Sequence, residues 1–178
     1  IKVGPGMDTS TEMGPLVSDE QFQKVSGYIE SGKSDGGEIL AGGKYDNSEG
    51  GHFVHPTVFA KTNADMSIVK EEIFGPVLCA QPFSDQDLDK IAEAANNTNY
   101  GLAASVWSKD ISTAHKLAGK IRAGTVWINC HNIFDASLPF GGYKESGWGR
   151  EMGHEVLHAY TELKAVSYTH LRAHETRT

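Results

Sequence analysis

A chain of 178 residues is the size of about one domain and can bury a respectable core. With 39% apolar and 22% charged residues and no low-complexity tract, it is excluded from the disordered class and has the profile of a soluble globular α/β or α+β protein. Its 16 cationic and 23 anionic side chains leave a net charge of −7, which argues against nucleic acid and anionic membrane as partners.

Elements follow in chain order. "IKVGPGMD" opens without an initiating Met and without a basic-then-apolar leader, so a piece of a longer, cytoplasmic protein is expected. "SDEQFQKVSGYIESGK" sets Ser18 as N-cap and Phe22, Val25 and Ile29 at helical spacing, which predicts a helix over about 18–31 with Gly32 as its stop. "GGEILAGG", "HPTVFAK" and "PVLCAQPF" predict strands, the last ended by Pro82.

"SDQDLDKIAEAANN" predicts a helix capped by Ser84, with Leu88, Ile91, Ala92 and Ala95 on one face. "LAASVWS", "DISTAHKLAGKI" and "AGTVWIN" then read as strand, helix capped by Asp110, and strand. This β-α-β run points to an α/β fold with an open, largely parallel sheet and flanking helices. The longest apolar runs, such as "IFGPVLCA", are far shorter than the roughly 20 residues that cross a bilayer. The last residues, 167–178, lose the apolar pattern just after "ELKAV" begins another strand, and are expected to be a non-native or disordered tail.

Several motifs carry possible chemistry. "PFGGYKESGWGRE" is glycine-rich, but its Lys144 and Ser146 are out of register for a Walker A phosphate loop, and no apolar strand leads into "GWGREMG" as a dinucleotide-binding turn requires. What remains is a loop whose backbone comes close to something, with Lys144, Arg150 and Glu151 as polar anchors.

"HEVLH" is a literal HExxH. On a helix it would place His154 and His158 on one face as zinc ligands and Glu155 as general base of a hydrolase. Thr161 occupies the place of the glycine in the extended zincin motif, and the alternative is a short amphipathic helix with Val156, Leu157 and Tyr160 packing inward. Cys79 and Cys130 form no CxxC, which suits a reducing compartment. Cys130 and His131 should point to opposite faces at a strand end, so core or pocket lining suits Cys130 better than nucleophilic work. "KEEIFGPV" pairs a carboxylate able to accept both hydroxyls of a ribose, Glu72, with a ring able to pack on a flat heterocycle, Phe74. The alternative is a solvated Glu-Glu corner with Phe74 in the core.

Taken jointly, "EEIFGPV", "YGLAASVWS", "AGTVWIN" and "PFGGYKESGWGRE" resemble the C-terminal part of the NAD(P)-dependent aldehyde dehydrogenase superfamily, over about residues 1–166. The resemblance implies a catalytic-domain fragment of an enzyme that oxidises an aldehyde to a carboxylic acid with NAD or NADP through a cysteine thioester. It implies that Glu72 holds the nicotinamide ribose, Phe74 borders the nicotinamide, and Gln21 and Lys24 serve the adenosine end. It also implies that Phe140 and Phe134 wall the aldehyde tunnel with Cys130 and Asn132 nearby, and that Glu151 relays protons. The parent would be a homo-oligomer, a dimer or tetramer. "WINCHNIFDASLPFGG" is most similar to members acting on aromatic or medium-chain aldehydes such as phenylacetaldehyde. The family's Gly-Gln-x-Cys nucleophile stretch does not occur in this sequence, so the chain alone is expected to be inactive. It is also expected to expose apolar surface that the parent buries. A non-enzymatic interaction module of the same fold is the other alternative.

Overall fold

The computed structural model describes residues 1–47, 50–83, 87–167 and 169. Helix α1 (Asp19–Ser34) begins where the sequence marks it. Ser18 has extended backbone and its hydroxyl accepts the Gln21 N–H at 3.2 Å. Phe22, Val25 and Ile29 are buried along one stripe, and fully burying such side chains is worth about 1.5–3 kcal/mol each. Gly32 does not stop the helix. A Cβ there would stand 2.7 Å from Ile68 Cδ1 and 3.0 Å from Phe59 Cζ, so the missing side chain lets α1 lie against its neighbours. Termination comes after Asp35, where Gly36 takes φ 92°.

The chain continues as β1 (Glu38–Ala41), β2 (Tyr45–Asp46), β3 (Phe53–Val54), β4 (Thr57–Ala60), α2 (Ser67–Lys70), β5 (Val77–Cys79) and α3 (Leu88–Asn96). It then forms β6 (Tyr100–Gly101), β7 (Ala103–Val106), α4 (Ile111–Lys120), β8 (Thr125–Ile128), β9 (Tyr143–Lys144) and α5 (Leu157–Tyr160). Where the length suggests about one domain, the chain packs as two compact units, Ile1–Asn99 with Asp110–Ile121, and Tyr100–Lys109 with Arg122–Thr178.

The first unit holds a three-stranded sheet in the order β1-β4-β5 and the short hairpin β2-β3. β4 and β5 are parallel, with Thr57 opposite Val77, and α2 lies between them in sequence. β1 is antiparallel to β4, with Glu38 opposite Ala60. The expected largely parallel sheet is corrected here: β1 and β4 are linked by a segment that contains a hairpin and, among the described residues, no helix, and an antiparallel pair needs no helical crossover. Phe22, Val25, Ile29, Val54, Phe59, Met66, Ile68 and Ile73 form this unit's core.

α3 starts at Leu88 because the Asp87 carboxylate accepts the Asp89 N–H at 2.9 Å; Ser84, the expected cap, lies outside the described residues. Ala95 is exposed, and β5 ends at Cys79, ahead of Pro82. α4 is capped by Asp110 as expected, and the Asn96 amide donates to the Lys120 carbonyl at 2.9 Å.

The second unit pairs β7 with β8 in parallel, Ala103 opposite Thr125, and β6 with β9 antiparallel. The strand expected from "ELKAV" does not form: residues 161–167 have no regular structure. Most of the tail expected at 167–178 lies outside the described residues.

Candidate functional site

In the first unit, α2 ends at Lys70, Glu71 after it has extended backbone, and residues 71–76 turn across α1. A Cβ on Gly75 would be 2.6 and 2.7 Å from the two γ carbons of fully buried Val25, so only glycine lets the turn approach the helix this closely. The Gln21 side-chain amide, one turn into α1, donates to the carbonyls of Phe74 at 2.7 Å and Ile73 at 3.3 Å. Phe74 sits at φ 54°, a left-handed backbone that is uncommon and strained for an aromatic residue. Its ring is 72% exposed, not in the core, and Lys24 Nζ lies 5.7 Å from the ring centroid.

Glu72 is half-buried. It lines an open hollow of about 320 Å³ together with Glu71, Phe74, Gly75 and Val77. The structure thus brings Gln21, Lys24, Glu72 and Phe74 onto one helix and one turn. A carboxylate beside an exposed ring and an open hollow is an acceptor set that fits a ribose joined to a flat heterocycle. Tyr28 belongs to the same cluster, donating its hydroxyl to Glu71 Oε2 at 2.6 Å. It was legible only as the next residue on the Gln21–Lys24 stripe.

In the second unit, Trp127 of β8 anchors an aromatic run. Its indole N–H donates to the Ile133 carbonyl at 2.7 Å, and its ring meets Phe134 edge-on at 5.7 Å. Phe134 meets Phe140 in the same way at 5.1 Å, and such pairs add about 0.5–1.5 kcal/mol beyond area burial. Asp135 Oδ1 accepts both the Ser137 N–H and hydroxyl, which shapes the bend between the two phenylalanines and holds the Asp135 carboxyl below its ordinary pKa.

Phe140 and Glu151 exchange two backbone hydrogen bonds of 2.7 Å, so Glu151 has a fixed main chain and an exposed side chain. Cys130 is half-buried and Asn132 is exposed at φ 58°; both follow the end of β8. His131 pairs not with Cys130 but with the Ser105 hydroxyl, 2.7 Å from its Nδ1.

The glycine-rich loop is filled by its own chain. A Cβ on Gly124 would fall 1.6 Å from the Gly141 carbonyl oxygen, one on Gly141 would fall 2.5 Å from that of Gly149, and one on Gly142 would fall 2.5 Å from that of Ser146. Arg150 fastens the loop, donating to the carbonyls of Gly142 and Gly149 and covering the Tyr143 ring at 5.2 Å.

"HEVLH" does not form the helix that zinc ligation needs. His154 and Glu155 lie in a turn and only His158 is within α5, so the two histidines lack the i,i+4 helical frame. Among the described residues no group of three metal-ligating side chains comes together. The inward-packing alternative also fails, since Leu157 is 50% and Tyr160 84% exposed. Among the described residues no helix is long and apolar enough to cross a membrane.

The Aldehyde dehydrogenase family profile matches residues 1–166. The NAD+ complex of aldehyde dehydrogenase from Bacillus cereus superposes with a TM-score of 0.88 at 53% identity, covering 93% of this chain and 33% of that one. The mitochondrial aldehyde dehydrogenase of Equus caballus is 49% identical over 165 residues, 93% of this chain and 32% of its own length. Indole-3-acetaldehyde dehydrogenase in complex with NAD+ gives a TM-score of 0.87 at 44% identity, covering 92% of this chain and 33% of that one. The chain therefore spans about a third of the length of the relatives it matches. A match along nearly the whole chain shows that this chain belongs to the aldehyde dehydrogenase family.

Proposed function

We propose that this chain is the carboxyl-terminal part of an NAD(P)-dependent aldehyde dehydrogenase that oxidises an aldehyde to a carboxylic acid. It would contribute the nicotinamide-ribose carboxylate and part of the aldehyde tunnel. The observation that carries this reading is the placement of Glu72 and Phe74 on a single turn, fixed against α1 beside an open hollow. The placement at the carboxyl end rests on the four motifs that resemble that part of the family. Bound NAD(P) would supply the hydride acceptor.

The chain's own residues would do the rest. The Glu72 carboxylate accepts the two ribose hydroxyls, and Phe74, already in place through its strained backbone, packs beside the nicotinamide. Gln21 and Lys24 support this from α1, toward the adenosine end. Phe134 and Phe140, with Cys130 and Asn132 nearby, hold the apolar tail of the aldehyde and exclude water, while the exposed Glu151 carboxylate passes protons toward solvent. The nucleophilic cysteine and the base glutamate are supplied from outside this chain, so the chain alone is inactive. The Trp127–Phe134–Phe140 run favours an aromatic or medium-chain aldehyde of the phenylacetaldehyde kind, and a relative named for indole-3-acetaldehyde supports that choice. Two free cysteines suit a reducing compartment such as the cytoplasm, and the family resemblance implies a homo-oligomeric parent.

The test uses the full-length gene product, with phenylacetaldehyde as substrate and NAD+ or NADP+ as oxidant. Reduced dinucleotide and phenylacetate should form in equal amounts, and Glu72→Gln should weaken dinucleotide binding by about tenfold or more, the worth of a charge-assisted hydrogen bond. No dinucleotide-dependent oxidation, or unchanged binding by Glu72→Gln, would overturn the proposal.

A further inference from the structure

Glu71 and Glu72 are neighbouring carboxylates of identical chemistry, and only their surroundings can decide which one serves a ligand. Glu71 Oε2 accepts the Tyr28 hydroxyl at 2.6 Å, the short distance of a charge-assisted O–H···O⁻ bond. Among the described residues, the Glu72 carboxylate takes no hydrogen-bond or ion-pair partner, although it is half-buried on the wall of the hollow.

The remainder of the turn is also held by α1. Gln21, Lys24 and Tyr28 succeed one another at helical spacings of three and four, so they share one stripe of the helix. From that stripe Gln21 holds the carbonyls of residues 73 and 74, Lys24 stands over the Phe74 ring, Val25 meets Gly75, and Tyr28 holds Glu71. The helix therefore holds the residues on both sides of Glu72 while Glu72 itself lines the hollow.

We propose that Tyr28 is a positioning residue that makes Glu72, rather than Glu71, the carboxylate offered to the ribose, by keeping Glu71 bonded to α1. This rests on the role given to Glu72 above. If the Tyr28 hydroxyl is removed, the Glu71 carboxylate, already on the lining of the hollow, loses its bond to α1 and is free to turn toward the ligand. There it competes for the ribose hydroxyls and repels a ligand that carries a pyrophosphate. The Tyr28 ring itself packs against the core, so Tyr28→Phe removes the hydrogen bond and keeps the packing.

The experiment measures NADH affinity of the full-length protein by calorimetric titration, with thermal unfolding recorded alongside. Tyr28→Phe should bind NADH roughly 2- to 12-fold more weakly, the range of one hydrogen bond. Tyr28→Phe/Glu71→Gln should return to within about twofold of the unmodified protein, because the competing charge is gone. A purely structural tyrosine would leave the double variant as weak as the single one, and that result would overturn the proposal. Glu71→Gln on the intact Tyr28 background should bind NADH as the unmodified protein does; a loss matching that of Glu72→Gln would overturn the proposal without recourse to any Tyr28 variant. If Glu72→Gln weakens binding and Tyr28→Phe does not, only the role of Tyr28 is lost. If Glu72→Gln has no effect, the ribose assignment fails, and the role of Tyr28 fails with it.

Discussion

Gly75 is the point where the site's geometry depends on one missing methyl group. In Gly75→Ala the new Cβ would lie 2.6 and 2.7 Å from the γ carbons of Val25, roughly 1 Å short of an ordinary carbon–carbon contact of about 3.5–4.0 Å. Val25 is fully buried within α1 and has nowhere to go, so the turn must lift away from the helix by about that amount. Overpacking of this kind costs about 1–3 kcal/mol. The displacement is passed to Glu72 and Phe74, and a shift of about 1 Å at a binding group can cost up to about 100-fold. Gly75→Ala should therefore lower both the thermal midpoint and the NADH affinity of the full-length protein, the latter by about tenfold or more. Val25→Ala removes the two obstructing carbons at about 1.6 kcal/mol of lost transfer energy. Combined with Gly75→Ala it should restore NADH binding and give a double variant about 1 kcal/mol or more better than the sum of the singles. Additive losses, or a silent Gly75→Ala, would refute the close-packing argument.

Arg150→Lys should loosen the glycine-rich loop by about 1–2 kcal/mol, because an ammonium cannot fork onto two carbonyls while lying flat over Tyr143. Amide hydrogen exchange over residues 140–151 should accelerate, and unchanged protection would contradict the assignment. Burial pushes the Cys79 thiol above its ordinary pKa, and its Sγ–H donates to the Ile68 carbonyl. Alkylation of Cys79 by iodoacetamide should therefore be slow at neutral pH and should accelerate only above the ordinary thiol value of about 8.5. The linked stability is fully present below that unfolded-state value and is lost as pH rises through the raised folded-state value. Fast labelling at pH 7 would contradict the burial.

What the sequence made legible, and what it hid, follows from how local each cause is. Ser18 and Asp110 announce their helices because a cap is a contact within one turn. Gly32 misled for the same reason: a glycine late in a helical pattern reads locally as a stop, while its actual role is contact with Phe59 and Ile68, far along the chain. The two-residue strands β2, β3, β6 and β9 are too short to show alternation, and the antiparallel β1 was hidden because strand direction depends on the connection rather than on composition. At the candidate site, the residue types Glu72 and Phe74 were visible, but the exposure of Phe74 and the hold exerted by Gln21 were not. Both arise from the meeting of α1 with a turn some fifty residues later.

Gly124, Gly141 and Gly142 face backbone carbonyls of their own chain, and this sets the terms on which the glycine-rich loop can change. A side chain in the way can rotate aside; a carbonyl held in the main chain cannot. The loop is accordingly a fitting of fixed length and fixed bore that carries interchangeable outward groups. Trp148, 98% exposed between Gly147 and Gly149, is one such group. A library aimed at this edge of the protein should vary position 148 freely and leave positions 124, 141 and 142 untouched. Diversity placed on the glycines would select against folding rather than for binding.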